Sequence, residues 1–271
     1  MKNAIIAACL VLLSHLAFAQ INAGNDTTIC VPGPVALSAV VDGVMGTTAY
    51  TIASTAWSPE AVGGTSIGLT DDAVSAVQPI GFSFCFFGNT YTNFYIGSNG
   101  WIGFTAGQPT AFTSQTIPNT GNNVPKNCIM GPWQDWHPGT GANVGNYIKY
   151  QTIGTAPNRR LIVTWDNVPM FSCTTNFGKF QIVLFETTNL IRSNIFNKPS
   201  CTWAGGNATQ GIHNLAGTVA YVVPGRNSSN WIANNESWEY IPSGVNWTAN
   251  GNPVGNTSNI TVSPIQTTTY V

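Results

Sequence analysis

The nine residues IGFSFCFFG, at positions 80–88, decide the fold. Large apolar side chains occupy every second position and small residues stand between them: Ile80, Phe82, Phe84 and Phe86 against Gly81, Ser83 and Cys85. Successive side chains of a β-strand point to opposite faces, so this period of two predicts a strand with one buried face.

The same signals continue on both sides of this strand. Asn99-Gly100 stands between two apolar runs, and Asn-Gly is the strongest short hairpin signal. Residues 180–185 are apolar on both faces, which predicts a central strand covered on both sides. Further strands are predicted at 147–152, 160–165, 190–196 and 218–223. With 28 Gly, 16 Pro and no long helical stripe after residue 19, the chain is expected to be all-β, an antiparallel β-sandwich.

The first nineteen residues form an export signal. Lys2 precedes a short apolar run at 4–13, and Ala17-Phe18-Ala19 is a small-x-small cleavage site. An alternative reads residues 6–9 as a lipobox that would make Cys9 a lipidated N-terminus. No later segment approaches the roughly 20 apolar residues of a membrane span. We therefore expect a secreted protein without a membrane span.

Charge is scarce in this chain. Charged residues make up 7% of the sequence, compared with roughly 25% in ordinary domains. The formal net charge is −1. Such a chain has no electrostatic footprint for nucleic acid. The pattern is typical of an extracellular β-protein with a neutral polar surface.

The cysteines are expected to form disulfides, because exported proteins are oxidised. Without Cys9, five remain, and we predict the pairs Cys173–Cys201 and Cys85–Cys128 with Cys30 left over. No Cys/His spacing indicates zinc, so no metal and no cofactor are expected.

The two ends differ from the middle. Residues 23–39 read as the first strands of an immunoglobulin-like domain, and residues 245–263 as later strands, with Trp247 as the core Trp. The ends are either linker stubs or one immunoglobulin-like domain with the large β-domain inserted. Because the chain stops at Val271 in mid-strand, the second alternative leaves an open sheet edge.

The middle resembles nidogen-like domains. The resemblance lies in residues 69–72, 80–88 and 94–101 and in the later blocks 161–166 and 178–186. The flanks resemble repeats of large Bacteroidetes-type surface proteins that are gliding-motility-associated and use type IX secretion. We therefore expect immunoglobulin-like strands at 20–60, a nidogen-like domain at 61–228, and further immunoglobulin-like strands at 240–271 that complete one split domain with 20–60.

The resemblance also implies a structural or adhesive module of the cell surface. The module would be a subunit of an extracellular assembly or the N-terminal part of a larger adhesin. Its partners would be other surface proteins or copies of itself, joined through an open β edge.

The loop at 130–139 is the candidate ligand site. Trp133, Asp135, Trp136 and His137 could recognise a glycan, by stacking of a Trp on the sugar and hydrogen bonding by Asp135. Carbohydrate binding is therefore the alternative function. The competing interpretation is a loop held in place by two buried Trp side chains.

No enzyme is expected from the catalytic inventory. After residue 19 only His137 and His213 remain, and no nucleophile motif accompanies them. Asp135 with Asp166 or Glu186 could form a carboxylate pair, but no spacing selects them. Asp71-Asp72 offers two carboxylates where Ca²⁺ needs six to eight oxygens, so a structural turn is expected there.

Overall fold

The computed structural model describes residues 20–22, 33–38, 40–42, 47–243, 247–250, 252–255 and 259–270. The predicted signal at 1–19 and the leftover Cys30 lie outside the described residues.

The described residues form twenty strands and one short 3-10 turn. The strands are β1 Gln20–Asn22, β2 Val35–Ser38, β3 Val40–Asp42, β4 Ala49–Thr55, β5 Thr65–Ile67, β6 Gln78–Phe86, β7 Asn89–Gly97, β8 Trp101–Gly103, β9 Cys128–Trp133, β10 Ile148–Ile153, β11 Arg160–Met170, β12 Cys173–Phe185, β13 Ile191–Lys198, β14 Asn207–His213, β15 Ala220–Val222, β16 Ser229–Asn230, β17 Ala233–Ser243, β18 Trp247–Ala249, β19 Asn252–Gly255 and β20 Asn259–Val262. The 3-10 turn is Trp203–Gly206, between β13 and β14.

Two large antiparallel sheets form the body of the protein. Sheet 1 has the order β4-β17-β13-β12-β11-β10-β5, and sheet 2 has the order β15-β14-β9-β8-β7-β6, with β16 beside β14. One core of buried side chains draws on both sheets, for example Phe84 and Ile96 from sheet 2 and Val163 and Ile182 from sheet 1. The predicted antiparallel β-sandwich is confirmed.

The alternating stretch at residues 80–88 lies mostly on β6 and is buried as predicted. Ile80, Phe84 and Phe86 are fully buried and Phe82 is 5% exposed. The opposite face of β6 is exposed or half-buried along its length. Packing of the four apolar side chains against sheet 1 therefore sets the register of this strand.

The central position predicted for residues 180–185 is also confirmed. Strand β12 pairs with β11 on one side and β13 on the other. On its second face, Gln181 is fully buried and exchanges two hydrogen bonds with the backbone of Glu60, at 3.0 and 2.8 Å. The segment before β5 thus covers the outer face of sheet 1.

The large β-domain reaches beyond the predicted bounds of 61–228. Strand β4 pairs with β17 from Ala49↔Ser243 to Thr55↔Ser237, so both strands belong to sheet 1. The sequence of β4 shows little alternation of apolar and polar residues, because β4 is an edge strand with only part of its length buried.

The two ends of the chain meet in a small ladder. Strand β2 pairs antiparallel with β20, with Val35 opposite Val262 and Leu37 opposite Ile260. This is the contact that the inserted-domain alternative requires. The immunoglobulin-like identity of the flanks, with Trp247 as core Trp, stays a prediction.

Candidate functional site

The predicted ligand site, residues 130–139, comprises the end of β9 and the loop that follows it, and its two Trp side chains are fully buried. The indole N–H of Trp133 donates to the carbonyl of Ala111 at 3.0 Å, and that of Trp136 donates to the carbonyl of Pro132 at 2.8 Å. A ring without exposed surface cannot stack on a sugar, so the stacking role predicted for both residues is wrong. They hold the loop in place instead.

Trp136 reaches the core through a close approach to a glycine. Its ring lies over Gly178 of β12, where a Cβ atom would overlap the indole, and it packs against Phe180 with ring centroids 5.3 Å apart. Gly178 therefore provides the space that lets this Trp side chain enter the sandwich.

Asp135 is the buried acid of the loop. Its side chain is 8% exposed, and its Oδ2 accepts a hydrogen bond of 2.7 Å from the indole N–H of Trp203. Burial raises the pKa of Asp135 to about 7; the Trp203 bond opposes the shift, and the charges of Asp72 and Asp71 add to it. The site thus disfavours a bare negative charge on this carboxyl group.

The carboxyl group of Asp135 lies close to those of two further aspartates. Asp71, Asp72 and Asp135 each offer a carboxylate oxygen, and the three oxygens lie within 4.8 Å of one another. We name this group the acidic cluster. Asp71 and Asp72 form the turn predicted for them, before β6, but the turn aims its carboxylates at the β9 loop.

Two hydrogen-bond donors and one histidine surround the acidic cluster. Asn99 donates its side-chain N–H to Oδ1 of Asp72 at 2.7 Å, and His137 Nε2 lies 3.8 Å from Oδ2 of Asp71. Trp203 is the second hydrogen-bond donor, to Oδ2 of Asp135. Burial raises the pKa of Asp71, the charge of His137 lowers it, and the charge of Asp72 raises it.

Two exposed aromatic side chains flank Asp135. Trp203 is 41% exposed and Phe112 is 40% exposed, and both line the pocket that has Asp135, Met170 and Phe171 in its wall. Neither aromatic residue was predicted from the sequence to belong to a site. The only local signal was the position of Trp203 two residues after the disulfide-bonded Cys201.

The disulfide Cys173–Cys201 is confirmed, with Cα atoms 6.1 Å apart. The second predicted pair is wrong, because Cys85 and Cys128 are both free thiols. Cys85 lies on β6 and Cys128 on β9, with β7 and β8 between these strands in sheet 2. Three strand spacings of about 4.8 Å exceed the Cα separation that a disulfide spans.

The other carboxylates considered for catalysis are held in ion pairs outside the acidic cluster. Asp166 Oδ1 lies 2.9 Å from Lys179 Nζ, and Glu186, directly after β12, forms a bidentate pair with Arg159. Arg159 lowers the pKa of Glu186 through these hydrogen bonds. His213, the second histidine, is fully buried in sheet 2.

An all-β sandwich of two antiparallel sheets, with a disulfide between β12 and the segment after β13, is the class of protein that this geometry defines. A family model described as NIDO related matches residues 49–252, three quarters of the chain, and the chain belongs to this nidogen-related family. The match begins at β4, the strand of sheet 1 that lies before the predicted start of the domain at residue 61.

The other comparisons add no relative. Neither the search of curated proteins nor the search of solved structures found a significant match. A NIDO-related domain and a disulfide fit an extracellular protein. Within the described residues, no helix has the length and apolar character to cross a membrane.

Proposed function

We propose that this protein is a secreted structural or adhesive module of the cell surface, acting as a subunit of an extracellular assembly or as the N-terminal part of a larger adhesin. Membership of the NIDO-related family supports an extracellular structural module. The disulfide supports an oxidising compartment. The export signal predicted at residues 1–19 supplies the route.

The observation that carries the proposal is the ladder of β2 and β20. Its cross-strand pairs Val35↔Val262 and Leu37↔Ile260 place four apolar side chains on one face, and all four are only half-buried. Among the described residues, neither strand has a second strand partner. A two-stranded ladder with an incompletely covered apolar face is marginally stable alone.

Such a ladder gains from an added strand. A third strand would satisfy the outer backbone N–H and C=O groups and would cover more of the apolar face. We therefore assign the partner contact to this ladder, with a copy of the same chain or another surface protein supplying the strand. The assignment involves no catalytic step, and we infer that the protein is not an enzyme.

The proposed route to the cell surface is supported by the sequence. The flanking segments resemble repeats of Bacteroidetes-type gliding-motility-associated surface proteins, which supports delivery to the surface by type IX secretion. This delivery would put the β2–β20 ladder where neighbouring surface proteins meet.

The test is sedimentation velocity of the secreted chain over a concentration series, with two serine variants of β2. Leu37→Ser removes an apolar side chain from the half-buried face, and Ala36→Ser changes the exposed face of the same strand. We expect the wild type to associate, Leu37→Ser to weaken association about tenfold or more, and Ala36→Ser to match the wild type. A chain that stays monomeric throughout and does not bind the cell surface contradicts the proposal.

Glycan binding is the second candidate function, and one observation favours it. Trp203 and Phe112 expose aromatic surface beside Asp135, as Trp133 and Trp136 do not. The indole N–H bond to Asp135 fixes the Trp203 ring, which lowers the entropy lost on binding.

A glycan array separates this candidate from assembly. We expect Trp203→Ala to abolish any signal that the wild type gives. Phe177→Ala is the matched control, because Phe177 is 42% exposed and lies outside the Asp135 pocket. An array that stays blank for the intact chain contradicts glycan binding and leaves the assembly proposal to sedimentation.

A further inference from the structure

We propose that the acidic cluster of Asp71, Asp72 and Asp135 binds a divalent cation of the calcium class. The site would join the turn before β6 to the loop after β9. It lies in the large β-domain and does not depend on assembly through β2 and β20.

The spacing of the oxygens suits such an ion. Ca²⁺ binds oxygen ligands at about 2.3–2.6 Å, so two ligands on opposite sides of the ion are about 4.6–5.2 Å apart. The three carboxylate oxygens of the cluster lie within 4.8 Å of one another and fit around one ion. All three ligand atoms are oxygens, which hard divalent cations prefer.

An independent observation points to a ligand there. Asp135 is buried at 8% exposure, and its Oδ1 accepts no hydrogen bond from any described residue. Oδ1 of Asp71 is likewise buried and without a donor among the described residues. About nine-tenths of buried polar atoms in proteins have a partner, so two such oxygens in one cluster need an explanation. A bound cation satisfies both.

The hydrogen bonds around the cluster leave these oxygens available. Trp203 donates to Oδ2 of Asp135, and His137 Nε2 lies 3.8 Å from Oδ2 of Asp71, so Oδ1 of each aspartate remains available. Donors of this kind orient carboxylate ligands and are part of the design of many metal sites.

Among the described residues, only one of the three carboxylates of the cluster has a basic side chain beside it. Within the described part of the chain, Asp72 and Asp135 form no ion pair, and His137 is the partner of Asp71. Three carboxylates this close repel one another, and a divalent cation converts the repulsion into attraction. Gln134, next to Asp135, adds a buried Oε1 without a hydrogen-bond donor among the described residues.

The experiment measures thermal unfolding of the full secreted chain after chelator treatment, with and without added CaCl₂. We expect Ca²⁺ to raise the Tm. We also expect Tb³⁺ to bind with luminescence sensitised by Trp203, and Ca²⁺ to compete it away.

Asp135→Asn is the decisive variant. It keeps the shape of the side chain and removes one of three clustered charges, so it should fold at least as well as the wild type without Ca²⁺. We expect its Ca²⁺ affinity to fall by about tenfold or more. Asp71→Asn should behave the same way.

Asp166→Asn is the control, because Asp166 pairs with Lys179 outside the cluster. It should respond to Ca²⁺ as the wild type does. The proposal is overturned if Ca²⁺ leaves the wild-type Tm unchanged, or if Asp135→Asn gains as much stability from Ca²⁺ as the wild type.

Discussion

The indole N–H of Trp203 donates a 2.7 Å hydrogen bond to Oδ2 of Asp135, which ties a half-exposed aromatic ring to a buried carboxylate. The bond joins the 3-10 turn that follows the disulfide to the loop that follows β9. The acidic cluster and the aromatic surface beside it are therefore one unit.

Trp203→Phe tests the strength of this link. The change keeps an aromatic ring and removes the N–H, so both oxygens of Asp135 would lack a donor among the described residues. A hydrogen bond to a charged group contributes about 1.5–3 kcal/mol, and we expect the free energy of unfolding to fall by about that amount in urea titrations. In the Asp135→Asn background the loss should be smaller, and an equal loss in both backgrounds would contradict the assignment.

Gly178→Ala tests the burial of Trp136. The added Cβ atom would overlap the indole ring, and overpacking of this kind costs about 1–3 kcal/mol. Gly68→Ala is the control, since a Cβ there would meet its nearest atom at an ordinary 3.7 Å. Similar unfolding midpoints for the two variants would show that the Trp136 side chain is not held as described.

His213 should make stability depend on pH. Its Nδ1 bonds the carbonyl of Pro125 at 2.8 Å and its Nε2 accepts from the backbone N–H of Asn119 at 3.2 Å, an arrangement that requires the neutral ring. Burial lowers the pKa of His213 from 6.5, with Lys126 adding to the shift. As the pH falls below about 6.5, His213 is therefore protonated more readily in the unfolded chain than in the folded chain.

The stability that neutral His213 contributes is thus complete above pH 6.5 and is lost as the pH falls towards the lowered folded pKa. We expect His213→Gln to flatten the dependence of the unfolding free energy on pH below about 6.5. Acids such as Asp135 titrate in both proteins and cancel in the difference. Parallel pH profiles for the two proteins would refute this role.

The disulfide should contribute strongly to stability. It closes a loop with a sequence separation of 28 residues, for which loop-closure entropy gives about 3–4 kcal/mol. We expect the double variant Cys173→Ala with Cys201→Ala to lose about that much in urea. Cys85→Ser, at a free and half-buried thiol, should lose far less, and comparable losses would argue against the loop-closure account.

The strands could be predicted where the signal is local. Ile80 to Phe86 alternate because one face of β6 is buried, and Asn99-Gly100 marks the turn between β7 and β8. Edge strand β4 escaped prediction, since an edge strand buries little and alternates weakly.

The site could be predicted only in part. Asp135 was singled out in its loop, but its meeting with Asp71 and Asp72 depends on how the two sheets pack, which no local pattern encodes. Trp133 and Trp136 were misjudged because an indole serves equally well as a buried anchor and as an exposed platform. Trp203 is placed by the disulfide, which joins distant parts of the chain, and by the 3-10 turn that begins at Trp203.

The most direct test of the proposed function is hydrogen exchange at the β2–β20 ladder, measured at low and high protein concentration. We expect amides in Val35–Ser38 and Asn259–Val262 to gain protection as the concentration rises, while the core amides of β12 stay unchanged. Assembly through this edge would be contradicted if the exchange rates of the ladder amides were the same at every protein concentration and did not change when the protein was bound to cells.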